Sequence, residues 1–379
     1  MRSIPVDMHL AINWLIPEPF PGAGGDTGIF RTIRYLAEFG HDCHVYVVPY
    51  SLMNDYSTDR IREYIREHFG HTLAHYHRWT GEVRDADCTF ATFWPTVENL
   101  LTLSNSGRRY YYVQDFEPSF YPDEPHHYAR AENTYRAGLH CITLGPWLAK
   151  LLRERYSATA DHFDFAVDPT IYRPQSGLRQ PAQRVCFYAR PTTPRRAYDL
   201  GFAALELVKT QLPEVDIAFF GARELTSQPS YAFSNRGLLT DNELATLFSS
   251  ADVGLVLSLT NPSFVPLEMM ACRCAVVEIA SERMDGVLTH GHDAWLSEPV
   301  PEAIAAGIVR LLVDHELCEH LIGNAYHRTR NMNWRDSARQ IEAVLLRHAA
   351  TGAEACIRDP DAGEVDGRTL QSRCSPVPN

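Results

Sequence analysis

Residues 9–48 read as strand, loop, helix, strand, and this unit constrains the fold more than any other feature. "HLAINWLI" (9–16) is an apolar run of strand length, and "PEPFPGAGGDTG" after it is a loop. "IFRTIRYLAEFG" then places Ile29, Ile33 and Leu36 at helical spacing and stops at Gly40, before the strand "HVYVVP". Strands joined through a helix run parallel, so a parallel sheet is expected. The alternation continues. "IREYIREHF", "VENLLTLS", "HHYARAENTYRAG" and "PWLAKLLRERY" read as helices, interleaved with the strands "CTFATFW", "RRYYYVQDF" and "LHCITLG".

The alternation breaks at "DPTIYRPQSGLRQPAQR" (168–184), which is proline-punctuated and poor in apolar residues, and then restarts. "VCFYAR", "VDIAFFG", "DVGLVLSL" and "AVVEIA" are strands. The helices between them include "TDNELATLFSSA", opened by a capping box of Thr240 and Glu243. The expected architecture is α/β: two tandem, doubly wound Rossmann-like domains, over 1–175 and 176–333. "NWRDSARQIEAVLLRHAA" is one more helix, about 334–350. The segment 351–379, rich in Gly, Asp, Pro and Ser, is expected to be disordered. Ligands of such sheets bind beyond the C-terminal ends of the strands, so the cleft between the domains is the expected site.

The bulk numbers narrow the function. The chain has 379 residues, 45% apolar and 22% charged, with a formal net charge of −12. That balance suits a globular protein and argues against a general nucleic-acid binder, which wants a basic surface. Nine cysteines, an odd number without a CxxC pair, read as reduced core thiols of a cytoplasmic protein. The opening residues are too polar for a secretory leader, and no apolar run approaches ~18 residues. Peripheral contact with the inner face of a membrane stays open.

Three segments could carry chemistry. In "PGAGGDTG", Gly24 and Gly25 let backbone approach a phosphate or sugar at a helix start, or form a plain tight turn; the spacing fits neither GxGxxG nor a P-loop. "FYARPTTPRRAYD" carries Arg190, Arg195 and Arg196 on a proline-stiffened loop after a strand, and arginine forks suit diphosphate oxygens. "TNPSFVPLE" places Asn261 or Ser263 at a helix start with Glu268 about one turn in. A carboxylate there either answers the helix dipole or holds vicinal hydroxyls such as a ribose offers. His71, His75 and His77 cluster, and His126 and His127 are adjacent, yet HExxH is absent, and so is any DxD at a strand end. No metal is expected. GxSxG is also absent.

Together these pieces resemble the GT-B retaining glycosyltransferases of family four. "FAVDPTIYRP" (165–174) is similar to that family's interdomain signature. "FYARPTTPRRAYDL" looks like its phosphate-binding loop, with Arg195 where a lysine is usual. "FFG" ending at Gly221 and "RGLLTDNELATLFSSADVGLVLS" resemble its nucleobase pocket. "PLEMMACRCAVVE" matches the second half of its Glu-x7-Glu motif, with Thr260 where the first glutamate would stand and Arg273 in place of a glycine. "NWRDSARQIEAVL" looks like its terminal helix, which packs back on the N-terminal domain. "NPSFVPLEMM" and "YYVQDFEPSFYP" are most like the bacterial surface-polysaccharide rhamnosyltransferase branch.

The resemblance implies transfer of a sugar, with rhamnose from dTDP-rhamnose as the branch would have it, to a saccharide or lipid-linked saccharide acceptor. Donor contacts would come from Gly24, Gly25, Tyr188, Gly221, Leu238, Ser263, Phe264, Val265 and Glu268. Arg190 and Arg195 would meet the diphosphate, and Gln114 and Asp115 the acceptor, with Asp115 the first side chain to test as a base. Two other readings stand beside this one. One is a GT-B-shaped UDP-sugar epimerase. The other is a non-catalytic nucleotide- or carbohydrate-binding protein of the same fold.

Overall fold

The computed structural model describes residues 8–20, 22, 24–49, 57–70, 72–179 and 182–357. His71 lies outside them. The first unit is a seven-stranded sheet: β1 (Ala11–Pro17), β2 (Asp42–Val48), β3 (His75–Arg78), β4 (Cys88–Ala91), β5 (Arg108–Val113), β6 (His140–Leu144) and β7 (Ala160–Phe163). Its spatial order is β3-β2-β1-β4-β5-β6-β7, with every pairing parallel. Helices α1 (Gly24–Glu38), α2 (Thr58–Phe69), α3 (Trp94–Leu101), α4 (Pro125–Thr134) and α5 (Pro146–Tyr156) supply the crossovers.

The second unit is a six-stranded parallel sheet: β8 (Arg184–Tyr188), β9 (Asp216–Phe220), β10 (Ser234–Asn235), β11 (Val253–Leu255), β12 (Ala275–Ile279) and β13 (Trp295–Ser297). The order is β10-β9-β8-β11-β12-β13. Its helices are α6 (Tyr198–Gln211), α7 (Asp241–Ser250), α8 (Val265–Ala271), α9 (Pro301–Val313) and α10 (His315–Thr329). In α7 the capping box forms: Thr240 N donates to Glu243 Oε2 at 2.8 Å, and Glu243 N to Thr240 Oγ1 at 3.4 Å. The two sheets are the two doubly wound α/β layers expected from the alternation. Strand order reverses between β1 and β4, and between β8 and β11, and such switch points open crevices at the strand ends.

The central strands are apolar on both faces because helices cover both faces. Trp14 of β1 stacks on Phe90 of β4 with ring centroids 4.2 Å apart. One buried cluster runs from β1 and α1 through Phe165 and Val167 into α7 and α8 of the second unit. Apolar packing of this kind holds the units as one body. The seven cysteines whose side chains are described are all buried and unbridged.

The final helix, α11 (Trp334–Ile357), lies against α1 and β7 of the first sheet. Gln340 and Asp164 exchange two hydrogen bonds of 2.7 Å there, and His41 Nε2 lies 3.1 Å from Glu342 Oε1. The expectation of a disordered tail from Thr351 is corrected in part: the helix continues through Ile357, and residues 358–379 lie outside the described ones. A second correction concerns α1, which begins at Gly24 rather than near Ile29, so both candidate glycines sit in its first turn. Strands β3, β7, β10 and β13 carry too few apolar residues to stand out in the pattern. Among the described residues, no helix is long and apolar enough to cross a membrane.

Candidate functional site

Asp115 follows β5, and the loop carrying Thr260 and Asn261 follows β11, so both stand at C-terminal strand ends facing the cleft. Asp115 is buried and fully engaged. Its Oδ1 accepts from Phe116 N at 2.8 Å and Asn261 N at 2.9 Å, and its Oδ2 accepts from Thr260 Oγ1 at 2.9 Å. Asn261 Nδ2 donates to Gln114 O at 2.8 Å and Leu144 O at 3.1 Å, tying this loop to the ends of β5 and β6. Asn261 is therefore a cross-cleft clamp. It does not cap α8, which opens at Phe264 without a side-chain cap. Gln114 Nε2 donates to Gly25 O at 3.0 Å, while Gln114 Oε1 is buried without a partner. A Cβ at Gly28 would stand 2.8 Å from that oxygen, so glycine is needed for α1 to approach so closely.

The three arginines after β8 separate into different environments. Arg195 reaches the first unit. Its Nε is 3.4 Å from Asp115 Oδ2, an ion-pair distance outside hydrogen-bond geometry, and its guanidinium carbon is 4.1 Å from the Phe120 ring centroid. Burial pulls the Arg195 pKa down, and the Asp115 charge opposes that pull. Arg196 is buried and donates to Ser258 Oγ at 2.6 Å, while Ser258 N donates to Glu278 Oε1 at 2.8 Å. Burial pushes the Glu278 carboxyl up to about 7. This Arg196–Ser258–Glu278 set holds the β11 loop from below. Reading by motif passed over Ser258 and Glu278, although each stands at a strand end. Arg190 stays on its own unit, 5.9 Å from the Tyr188 ring centroid. Gly221 has φ +98°, and a Cβ there would lie 2.8 Å from the Tyr188 ring. Tyr188 and Gly221 thus share one wall, while Leu238 is half-exposed nearby in sequence to β10.

Glu268 sits in the first turn of α8 and is buried. Burial pushes its carboxyl up to about 8, the Arg31 charge pulling the other way and Asp241 adding to the rise. Arg31 of α1 pairs with Asp241 of α7 at 3.1 Å, and Tyr172 donates to the same carboxylate at 3.2 Å. Glu268 is therefore enclosed by groups from α1, the interdomain segment and α7. Ser263 Oγ is buried without a partner. Phe264 packs against Phe165 at 5.6 Å and Trp334 at 4.9 Å between ring centroids, so its side chain joins the start of α8 to α11. Val265 begins a helix of seven residues.

Among the described residues, two groups bring three metal-ligating side chains together: Asp42, His44 and His75, and His140, Asp161 and His348. Asp42, His44, His75 and His140 stand at strand starts, and Asp161 is one residue in, so both groups lie away from the cleft. Neither contains Asp115, Arg195 or Glu268.

Known proteins resemble this chain in fold and, over part of its length, in sequence. Residues 183–309, which hold β8 to β13, match the family described as WsaF, C-terminal domain. Two of the similar solved structures are sucrose-phosphate synthase from Thermosynechococcus elongatus and HepE from Anabaena in complex with UDP-glucose. The first has a TM-score of 0.67 and 14% identity over 90% of this chain and 100% of that one. The second has 0.68 and 13%, over 92% and 100%. The chain has the GT-B glycosyltransferase fold. A TarM variant of S. aureus, in complex with fondaparinux, alpha-GlcNAc-glycerol and UDP, has a TM-score of 0.70 at 8% identity over 89% of this chain and 99% of that one. The chain is also 33% identical over 270 residues to the O-antigen biosynthesis protein RfbC of Myxococcus xanthus. That match takes in 70% of this chain and 21% of RfbC, so the chain spans about a fifth of that relative's length. In GT-B terms, the cleft between the two sheets carries Asp115 on one side and Arg195, Thr260 and Glu268 on the other.

Proposed function

We propose that this chain is a glycosyltransferase. It moves a sugar from a nucleoside-diphosphate donor to a saccharide acceptor in the synthesis of a surface polysaccharide. The observation that carries the reading is the meeting at the cleft of Asp115, Arg195 and Thr260, with Glu268 enclosed one short helix away. The similarity to an O-antigen biosynthesis protein supports the polysaccharide context, and the UDP-glucose held by HepE supports a nucleotide-sugar donor. The rhamnosyltransferase-like segments favour rhamnose carried on dTDP, transferred with retention.

In this reading Glu268 accepts hydrogen bonds from the ribose hydroxyls. Gly221 and Leu238 border the base. Arg190 and Arg195, with the backbone N–H groups of Ser263–Val265, meet the diphosphate. Charge on the diphosphate grows as the bond from the anomeric carbon to its oxygen breaks, so these cations act most strongly in the transition state. The acceptor oxygen forms the new bond on the same face, and its proton passes to the departing phosphate. Side-chain cations supply the countercharge, so the reading needs no metal in the cleft.

Thr260 acquires a meaning here. The resembling family would place a glutamate at 260 to touch the sugar. In this chain the Thr260 hydroxyl donates to Asp115, so the carboxylate at that point comes from the opposite unit. The acid then belongs to the acceptor side of the cleft and depends on domain closure for its position.

The test is nucleotide release. With dTDP-rhamnose, UDP-glucose or GDP-mannose offered in turn, one donor should give free nucleotide only when acceptor is present. Product anomers read by NMR report retention. Failure of every nucleotide and nucleotide sugar to bind by calorimetry would overturn the reading.

A further inference from the structure

The register between β2 and β3 assembles a cluster that neither segment shows alone. Residues two apart on a strand share a face. Asp42 and His44 therefore share one face of β2, and His75 and His77 one face of β3. His44 is the register partner of His75. One donor atom each from Asp42, His44 and His75 lies within 4.8 Å of the others. His44 Nε2 is 3.4 Å from Asp42 Oδ1, and its Nδ1 is 2.9 Å from His77 Nε2. The His44 ring stands 4.6 Å from His75 and 4.9 Å from His77, the second pair nearly parallel at 19°.

We propose that Asp42, His44 and His75 bind one divalent transition-metal ion of the zinc class, with His77 orienting His44. Two imidazole nitrogens and one carboxylate oxygen suit zinc, cobalt, nickel or copper, whereas magnesium and calcium want oxygen ligands. The His44–His77 contact gives the second His44 ring nitrogen a partner. Ligation through Nε2 requires the tautomer in which His44 Nδ1–H donates to His77 Nε2, leaving the Nε2 lone pair for the ion. A partner on the second ring nitrogen is the usual support of a metal-bound histidine.

Arg84 holds the far oxygen, Asp42 Oδ2, and leaves Oδ1 toward His44. Ligand atoms around tetrahedral zinc stand about 3.3 Å apart. Asp42 and His75 are exposed and can rotate inward to reach that separation.

The position gives the ion a task. β3 is the edge strand of the first sheet and only four residues long. A bound ion would link it to β2 and lower the fraying of that edge. The site lies at strand starts, at the opposite end of the sheet from the cleft.

Metal-free protein would be titrated with zinc chloride by calorimetry, and its cobalt complex recorded by visible absorption. The expected result is one equivalent bound, cobalt bands of a four-coordinate site, and affinity reduced at least about 100-fold in His44→Ala and in His75→Ala. His77→Gln should weaken binding about 10–100-fold. His348→Ala removes the other three-ligand group and should leave binding unchanged. The proposal is overturned if no equivalent binds, if His75→Ala binds like wild type, or if His348→Ala alone abolishes binding. His75 is exposed, so its variant remains informative should His44→Ala fail to fold.

Discussion

Asp115 and Glu268 are both buried carboxylates at the boundary between the two units, and their surroundings treat them in opposite ways. Asp115 accepts from a backbone N–H of each unit and from the Thr260 hydroxyl, with Arg195 beside it. Glu268 is enclosed in a place where burial outweighs the nearby Arg31 charge, and its carboxyl is pushed up to about 8. One end of the cleft is a finished network that ties strand ends together. The other holds a carboxyl for whose ionised form Arg31 and the Tyr172 hydroxyl offset burial only in part. The first end suits fixed electrostatics at a reacting centre, and the second suits recognition of a diol.

Substitutions at the two ends should separate turnover from donor affinity. The largest effect is expected for Asp115→Asn and Arg195→Ala. Each should lower kcat by about 100-fold or more, the scale of losing one preorganised charge at the transition state, while donor Kd measured by calorimetry changes little for Asp115→Asn and rises by less than kcat falls for Arg195→Ala. Equal loss in Kd would mean that this end binds donor and is not specialised for the transition state. Next comes Glu268→Gln, which should weaken nucleotide binding about 10–100-fold, the worth of hydrogen bonds to a charged acceptor.

The pH dependence of nucleotide affinity sharpens the contrast. If ribose hydroxyls donate to the ionised carboxylate, as proposed, binding at neutral pH releases the Glu268 proton. Affinity should then fall as pH drops below about 8, by at most about tenfold per unit. Glu268→Gln should flatten that profile, and Asp115→Asn should not. Folding stability runs the opposite way. Glu268 holds its proton in the native state above its unfolded pKa near 4.5, so this contribution is full below that pH and is lost as pH rises through about 8.

Smaller effects follow from the contacts that join the units. Thr260→Val removes one hydrogen bond to the Asp115 carboxylate and should cost about 1–3 kcal/mol in thermal or denaturant unfolding. Arg31→Ala breaks a pair whose Asp241 partner is half-exposed, so solvent screening limits the loss to about 1 kcal/mol or less. Its more telling consequence is a further rise in the Glu268 pKa, since the Arg31 charge is what opposes that rise.

Reading along the chain went further in some places than in others. The parallel alternation of strand and helix was plain, because covered strands are continuous apolar runs and helices repeat every three to four residues. The capping box at Thr240 was equally plain, being a contact over three residues. Spacing left Asn261 or Ser263 at a helix start, and it says nothing about the ends of β5 and β6, where the Asn261 side chain bonds. The motif placed the backbone of Phe264 near the donor, but only the structure shows that its ring packs between Phe165 and Trp334, two residues brought to it from other parts of the chain. Gly28 carried no signal, since its closeness to Gln114, at the end of a strand far along the chain, exists only in the folded sheet.

The order of residues alone determined that this chain builds two parallel α/β sheets, since hydrophobic periodicity and turn chemistry are local and additive along the sequence. It also determined which residue types stand at the strand ends. Only the tertiary structure decided which of them meet. It set Asp115 against Thr260 where the resembling family would have a glutamate, enclosed Glu268 behind Arg31 and Asp241, and aligned His44 with His75. Those pairings join residues far apart in the chain, and their energies depend on distance, burial and hydrogen-bond geometry, which exist only once the sheets have formed and docked.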